Sequence, residues 1–150
     1  DPITTAKFAI FYRKEDFPAG LQYQRFNELS RYKIGGVLGY WYENPFADAK
    51  LNIEYFISDE QLFVMLYNRR VQLAASAELV GWAAIKKRYP HYEYLFGIST
   101  EPLKEDDLHL MVSKTYPQAP FFLQQFNLGL AKLREKGVLQ AILRKNRLPE

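Results

Sequence analysis

From Lys33 onward the sequence alternates between two apolar periods, and each change of period carries a turn or capping signal. Lys33–Leu38, Leu51–Ile57 and Val71–Ala75 read as strands, the second with Leu51, Ile53 and Tyr55 on one face. Each strand hands over to a helix. Glu43–Ala49 is a weak one, weakened further by Pro45. The next opens on a Ser-Asp-Glu-Gln capping box at Ser58, runs to about Asn68 and carries Leu62, Met65 and Leu66 as its apolar stripe. The third spans Ala77–Arg88, with Leu79, Trp82, Ala83 and Ile85. Consecutive strands joined through helices require crossover connections. The expected fold is therefore α/β, a mostly parallel sheet with helices on both faces.

The flanks are less regular. Lys7–Tyr12 is a strand candidate followed by a charged, proline-containing loop, "RKEDFPAG", and Phe26–Ser30 reads as a short helical turn. Tyr92–Ile98 and Leu108–Ser113 are read as two further strands joined by an acidic loop, "STEPLKEDD". Near Thr115–Pro120 the alternation gives way to two helices. Pro120–Lys136 shows Phe122, Phe126, Leu130 and Leu133 at helical spacing, and Gly137 breaks it. Val138–Lys145 repeats the stripe with Leu139, Ile142 and Leu143.

Composition narrows the classes. A chain of 150 residues with 48% hydrophobic and 16% aromatic content can bury a core and is not disordered. The net charge is only +3, and the basic clusters Lys86-Lys87-Arg88, Lys132/Arg134/Lys136 and Arg144-Lys145-Arg147 fall at predicted helix ends. There they complement the helix dipole, so no nucleic-acid partner is expected. The absence of cysteine removes disulfides, thiolate metal sites and cysteine nucleophiles. No apolar run approaches the roughly 18 residues of a membrane span. No signal peptide is read in these residues. The chain opens on Asp1-Pro2 without an initiator methionine, as expected of a trimmed piece.

Signatures of catalysis are thin. His91 and His109 stand apart, without metal-ligand spacing. Ser76 lies in Ala-Ala-Ser-Ala-Glu, without the glycines of a nucleophile elbow. The run Glu105-Asp106-Asp107 reads as a solvated loop. Gly35-Gly36-x-x-Gly39 departs from a dinucleotide fingerprint because its glycines lie inside the strand. No reaction is implied. Binding features are better placed, because ligands of open α/β sheets bind beyond the carboxyl ends of the strands. One predicted strand ends at Gly39-Tyr40-Trp41, which reads either as a backbone cradle for an anion or as a tight turn with core aromatics. Another ends at Ser76-Ala77-Glu78, which reads either as a pair of polar anchors or as plain helix capping.

Several stretches carry a family resemblance. "YKIGGVLGYWY" resembles the strand–glycine–aromatic segment of the periplasmic solute-binding proteins of ABC transporters, in the amino-acid-binding group known as extracellular solute-binding family 3. "SDEQLFVMLYNRRVQLAASAELVGWAAIKK" is similar to that family's capped helix leading into a Gly-Arg-Val-Asp strand. "LHLMVSKTYPQ" resembles its returning strand, and "FNLGLAKLREKGVLQAILRKN" its closing helix pair. The likeness runs in order over residues 7–146.

The resemblance implies a lobe of the periplasmic-binding-protein type II kind with a C-terminal helix pair. Residues 1–13 would form a hinge-crossing strand, 14–114 the second α/β lobe, and 115–150 helices belonging to a first lobe absent from this chain. It implies a substrate-binding component of an ABC transporter, with a membrane permease as partner and a periplasmic address. The alternative is a ligand-sensing domain of a membrane receptor or signalling enzyme with the same fold. In either case the protein is not an enzyme, and no metal or organic cofactor is implied. The small polar, amino-acid-like solute would meet Gly39, Tyr40 and Trp41 on one side and Ser76 and Glu78 on the other, with both rings facing the crevice. Counting from Arg70-Val71, the family's aspartate for an α-ammonium group falls on Ala77, and Gln72 stands at the aspartate of the Arg-Val-Asp signature. The exposed stripes of the C-terminal helices imply docking on the lobe in an unfamiliar position, or a dimer of the truncated chain through these helices.

Overall fold

The structure is a computed structural model and describes residues 1–145; Asn146, Arg147 and the rest of the C-terminal segment lie outside the described residues. The chain divides into two units, one formed by Lys7–Lys104 and the other by Asp1–Ala6 with residues 105–150.

In the larger unit, β2 (Lys33–Val37), β3 (Asn52–Phe56) and β4 (Leu73–Ala77) are parallel, with β2 between the other two. The long strand β1 (Pro2–Arg13) lies on the far side of β4 and runs antiparallel to it, pairing Ile10 with Ala75 and Tyr12 with Leu73. The short strand β5 (Phe96–Ile98) follows, antiparallel to β1. The alternation of β1 and β4 divides the core in two. Ile10, Tyr12, Leu73 and Ala75 join Ile34, Tyr42, Phe46 and Leu29 on one face. Phe11 and Ala74 join Val37, Phe56, Leu62, Phe63 and Leu66 on the other. Residues of one strand pointing alternately into two cores are what a sheet buried on both sides demands.

α1 (Glu43–Asp48) sends Phe46 into the first core. α2 (Asp59–Tyr67) has the expected box: the Gln61 N–H donates to Ser58 Oγ and the Ile57 N–H to Gln61 Oε1. Its C-terminal end is held by Arg13, a buried guanidinium that donates to the Leu66 and Val71 carbonyls and pairs with Asp16. Burial lowers the Arg13 pKa, and Asp16 opposes that shift. Arg69 takes a left-handed φ of 60°, where its guanidinium reaches Glu15 and Asp16. Gln72 exchanges bonds with Lys33, accepting at its side chain and donating from its backbone, and so ties the start of β4 to β2.

α3 (Glu78–Arg88) buries Ile85 and half-buries Trp82 as expected, but turns Gly81 and Ala84 inward in place of Leu79 and Ala83, which are exposed. The reason is close approach to the sheet. A Cβ at Gly81 would stand 2.4 Å from Phe11 Cζ, so the helix is rotated to turn its glycine inward.

In the smaller unit, β6 (Lys104–His109) pairs with β1. This corrects the expected strand at Leu108–Ser113 and turns the acidic run Glu105-Asp106-Asp107 from loop into strand. Tyr92–Ile98 is likewise part 3-10 turn (Glu93–Leu95) and only then strand. α4 (Ala119–Glu135) and α5 (Val138–Lys145) are separated by Gly137 at φ 68°. Leu130, Leu139 and Leu143 form a small core with Ile3 and Phe126, while Phe121, Phe122, Leu133 and Ile142 stay exposed.

Candidate functional site

The three parallel strands end at one edge of the sheet, and each delivers side chains there. After β2 the chain turns at Gly39, whose φ of 83° favours glycine, and continues through Tyr40 and Trp41 into α1. After β3 it reaches Ser58 and Asp59 at the start of α2. After β4 it passes Ser76 and Ala77 into Glu78, the first residue of α3. The antiparallel neighbour β1 adds Phe8, paired in register with Ala77.

Asp59 joins these segments. Ser76 Oγ donates to Asp59 Oδ1 at 2.5 Å and the Tyr40 hydroxyl donates to Oδ2 at 3.3 Å. Partial burial raises the Tyr40 pKa, and the neighbouring Asp59 carboxylate adds to the shift. The Tyr40 ring stacks on Tyr42 at 5.4 Å, and Tyr42 stacks on Phe46. Tyr42, the residue before α1, is fully buried, and its hydroxyl donates to the Ala75 carbonyl of β4 at 3.2 Å. Phe8 packs nearly perpendicular to both Tyr40 and Trp41, with ring centroids 6.3 and 5.5 Å apart. Lys104 Nζ lies 5.1 Å from the Trp41 ring centroid.

The sequence-read positions fare differently. Tyr40 and Trp41 are half-buried, each with one side against the core aromatics. Gly39 is exposed, but its N–H already donates to Glu43 Oε1. The anion expected at that backbone group is one supplied by the chain itself. Ser76 is corrected: with 0% of its surface exposed it offers no hydroxyl to a cleft, and its proton goes to Asp59. Glu78 is half-buried, and its carboxylate makes no hydrogen bond or ion pair among the described residues.

Asp59 was read from the sequence only as part of a capping box. Its signal was present nonetheless, since an acidic first helical residue directly after a strand falls at the same edge as Gly39 and Ser76. Phe8 gave no such signal, because the direction of β1 is not written in its apolar pattern. Among the described residues no group of three or more His, Asp or Glu side chains is arranged to hold a metal ion. No helix among them is long and apolar enough to cross a membrane.

No protein-family model and no curated protein sequence matches the chain. Solved structures do. An ancestral arginine-binding protein bound to glutamine is similar over 97% of this chain and 61% of its own, at 21% identity and a TM-score of 0.70. The amino-acid ABC-transporter substrate-binding protein AbpA of Streptococcus pneumoniae, bound to L-arginine, is similar over 97% of this chain and 59% of its own, at 19% identity and a TM-score of 0.72. A histidine kinase sensor domain with similarity to periplasmic binding proteins is similar over 99% and 62%, at 18% identity and a TM-score of 0.75. The chain therefore spans about three-fifths of the length of the structures it resembles, and it has the periplasmic-binding-protein type II fold, a mixed α/β sheet flanked by helices.

Proposed function

We propose that this chain carries one lobe of a solute-binding protein that holds a small polar, amino-acid-like solute between two lobes and delivers it to an ABC-transporter permease. The observation that carries the reading is the convergence of Tyr40, Trp41, Asp59 and Glu78 at the carboxyl ends of three parallel strands, where ligands of open α/β sheets bind. The fold supports it, since structures sharing it include amino-acid-binding proteins of transporters. In this reading residues 14–114 are the second lobe and 1–13 a hinge-crossing strand. Residues 115–150 belong with the first lobe. The address is periplasmic, and the protein binds rather than catalyses.

A second reading has its own observation. The sensor domain of a histidine kinase matches at a TM-score of 0.75 and over 99% of the chain, so a sensor domain is built on the same architecture. Genes for a permease and an ATPase alongside would favour transport. A kinase or cyclase following a transmembrane segment would favour sensing.

The test is a thermal-shift screen of the complete two-lobe protein against amino acids, amines and small carboxylates. A ligand at a hundredfold excess over its Kd stabilises the folded state by about 2.7 kcal/mol, which moves the midpoint by several degrees. A panel that leaves the midpoint unchanged throughout would count against solute binding.

A further inference from the structure

We propose that Trp41 is a latch between the solute edge and the places where the chain crosses from one unit to the other. Phe8 and Lys104 hold its ring in the arrangement seen here, and the ring turns to give its indole N–H to an acceptor on a bound solute. The inference rests on the solute-binding reading above and adds the positioning residues that set how readily that site is occupied.

The chain enters the larger unit between Ala6 and Lys7 and leaves it between Lys104 and Glu105. Phe8 and Leu103 are each the second residue inside a crossing. The Leu103 N–H donates to the Phe8 carbonyl at 2.7 Å, and the Leu103 side chain is buried in the first core. The two crossings therefore enter the unit as one tied pair. Trp41 touches both of them. The Phe8 ring centroid lies 5.5 Å from that of Trp41, nearly perpendicular to it, and Lys104 Nζ lies 5.1 Å from the same ring. That is inside the roughly 6 Å over which an aromatic face attracts a cation. A bend at the second crossing moves Lys104, and the ring that Lys104 covers stands at the solute edge.

The indole nitrogen supplies an independent observation. Trp41 as a residue is only half-buried, yet its Nε1 is buried and has no hydrogen-bond acceptor among the described residues. Buried N–H groups are nearly always paired, because a stranded one has lost water and gained nothing. The observed position of the ring is thus held by its contacts with Phe8 and Lys104 against the preference of its own donor. A turned ring reverses the balance, giving up the Lys104 contact and bringing the N–H to the edge where a solute oxygen can accept it. The segment has room for this. Gly39, two residues earlier, is exposed at φ 83° with nothing within 4 Å of where a Cβ would stand.

The experiment is NMR of the complete protein, isotope-labelled at its tryptophans, with the Trp41 indole signal identified by its loss in Trp41→Phe. The readout is exchange of that N–H with water. Lys104→Met keeps the length of the side chain and removes the cation. It should speed the exchange about twofold to fivefold, the factor that an exposed cation–π contact supports. Lys104→Arg restores a cation and should restore the wild-type rate. Calorimetry follows with L-arginine and L-glutamine, the amino acids held in two of the similar structures. Because binding draws on the turned ring, Lys104→Met should bind whichever of them wild type binds, and more tightly by the same factor of about two to five. A lysine that merely supported the fold would not improve affinity. Equal indole exchange in wild type and Lys104→Met would overturn the inference. So would weaker binding by Lys104→Met, or a bound amino acid that leaves the Trp41 indole signal in place. The exchange comparison uses no solute and decides the latch by itself; absence of binding across the whole thermal-shift panel would instead overturn the solute-binding reading.

Discussion

Ser76 Oγ donates to Asp59 Oδ1 across 2.5 Å, tying the carboxyl end of β4 to the first residue of α2. The hydroxyl is fully buried and the acceptor is a carboxylate, the combination in which a hydrogen bond contributes most. Removing it in Ser76→Ala leaves Asp59 with only the longer Tyr40 bond. The expected loss of folding stability is about 1.5–3 kcal/mol, read from the shift of a urea unfolding midpoint. A midpoint unchanged from wild type would mean that the bond is not made in solution.

Two glycines in helices should respond to alanine with opposite signs. At Gly81 a Cβ would meet Phe11 Cζ at 2.4 Å and Phe63 Cζ at 2.9 Å, so Gly81→Ala forces the helix away from the sheet. Overpacking of this kind costs about 1–3 kcal/mol, more than the helix propensity returned. At Gly129 in α4 nothing lies within 4 Å, and Gly129→Ala should stabilise by about 0.5–1 kcal/mol. Unfolding of the two variants beside wild type checks both signs.

Alkaline pH should weaken the fold. Burial raises the Tyr23 pKa to about 12 and pushes Tyr42 higher still. In the unfolded chain both phenols release protons near pH 10, while in the folded chain they keep them. Above pH 10 the unfolded state binds fewer protons, so stability falls as pH rises and is intact below pH 10. Denaturant midpoints between pH 9 and 11.5 should decline through this window. A flat profile would place both phenols in contact with water.

Residues 1–150 expressed alone should self-associate. Phe121, Phe122, Leu133 and Ile142 are exposed on α4 and α5, and burying such side chains contributes roughly 1.5–3 kcal/mol each. Light scattering on a sizing column should give a dimer at tens of micromolar, and Phe122→Glu with Leu133→Glu should shift it to monomer. A wild-type monomer under the same conditions would remove the helices as an association surface.

Much of the fold was legible because its elements carry their own signals. The three parallel strands, the capping box at Ser58 and the break at Gly137 each rest on local chemistry, and each appears where that chemistry places it. What stayed hidden depends on contacts between distant residues. Strand β6 reads Lys-Glu-Asp-Asp-Leu-His and is largely exposed, so no apolar alternation marks it; backbone pairing with β1 makes it a strand. The inward face of α3 is set by Phe11, some seventy positions earlier. At the site, Tyr40 and Trp41 could be placed at a strand end from sequence. That Glu43 occupies the Gly39 N–H and that Ser76 faces Asp59 could not, since both depend on side-chain direction at the ends of strands brought together by the sheet.

Hydrogen exchange of the complete protein, with and without a saturating concentration of the solute that most raises the midpoint in the thermal-shift screen, tests the central claim most directly, because it locates the solute without altering a residue. The account predicts slowed exchange in three separate segments, around Gly39–Trp41, Ser58–Asp59 and Ser76–Glu78, with the outer strand β6 unchanged. Saturable binding that leaves all three segments exchanging as in the free protein would contradict it.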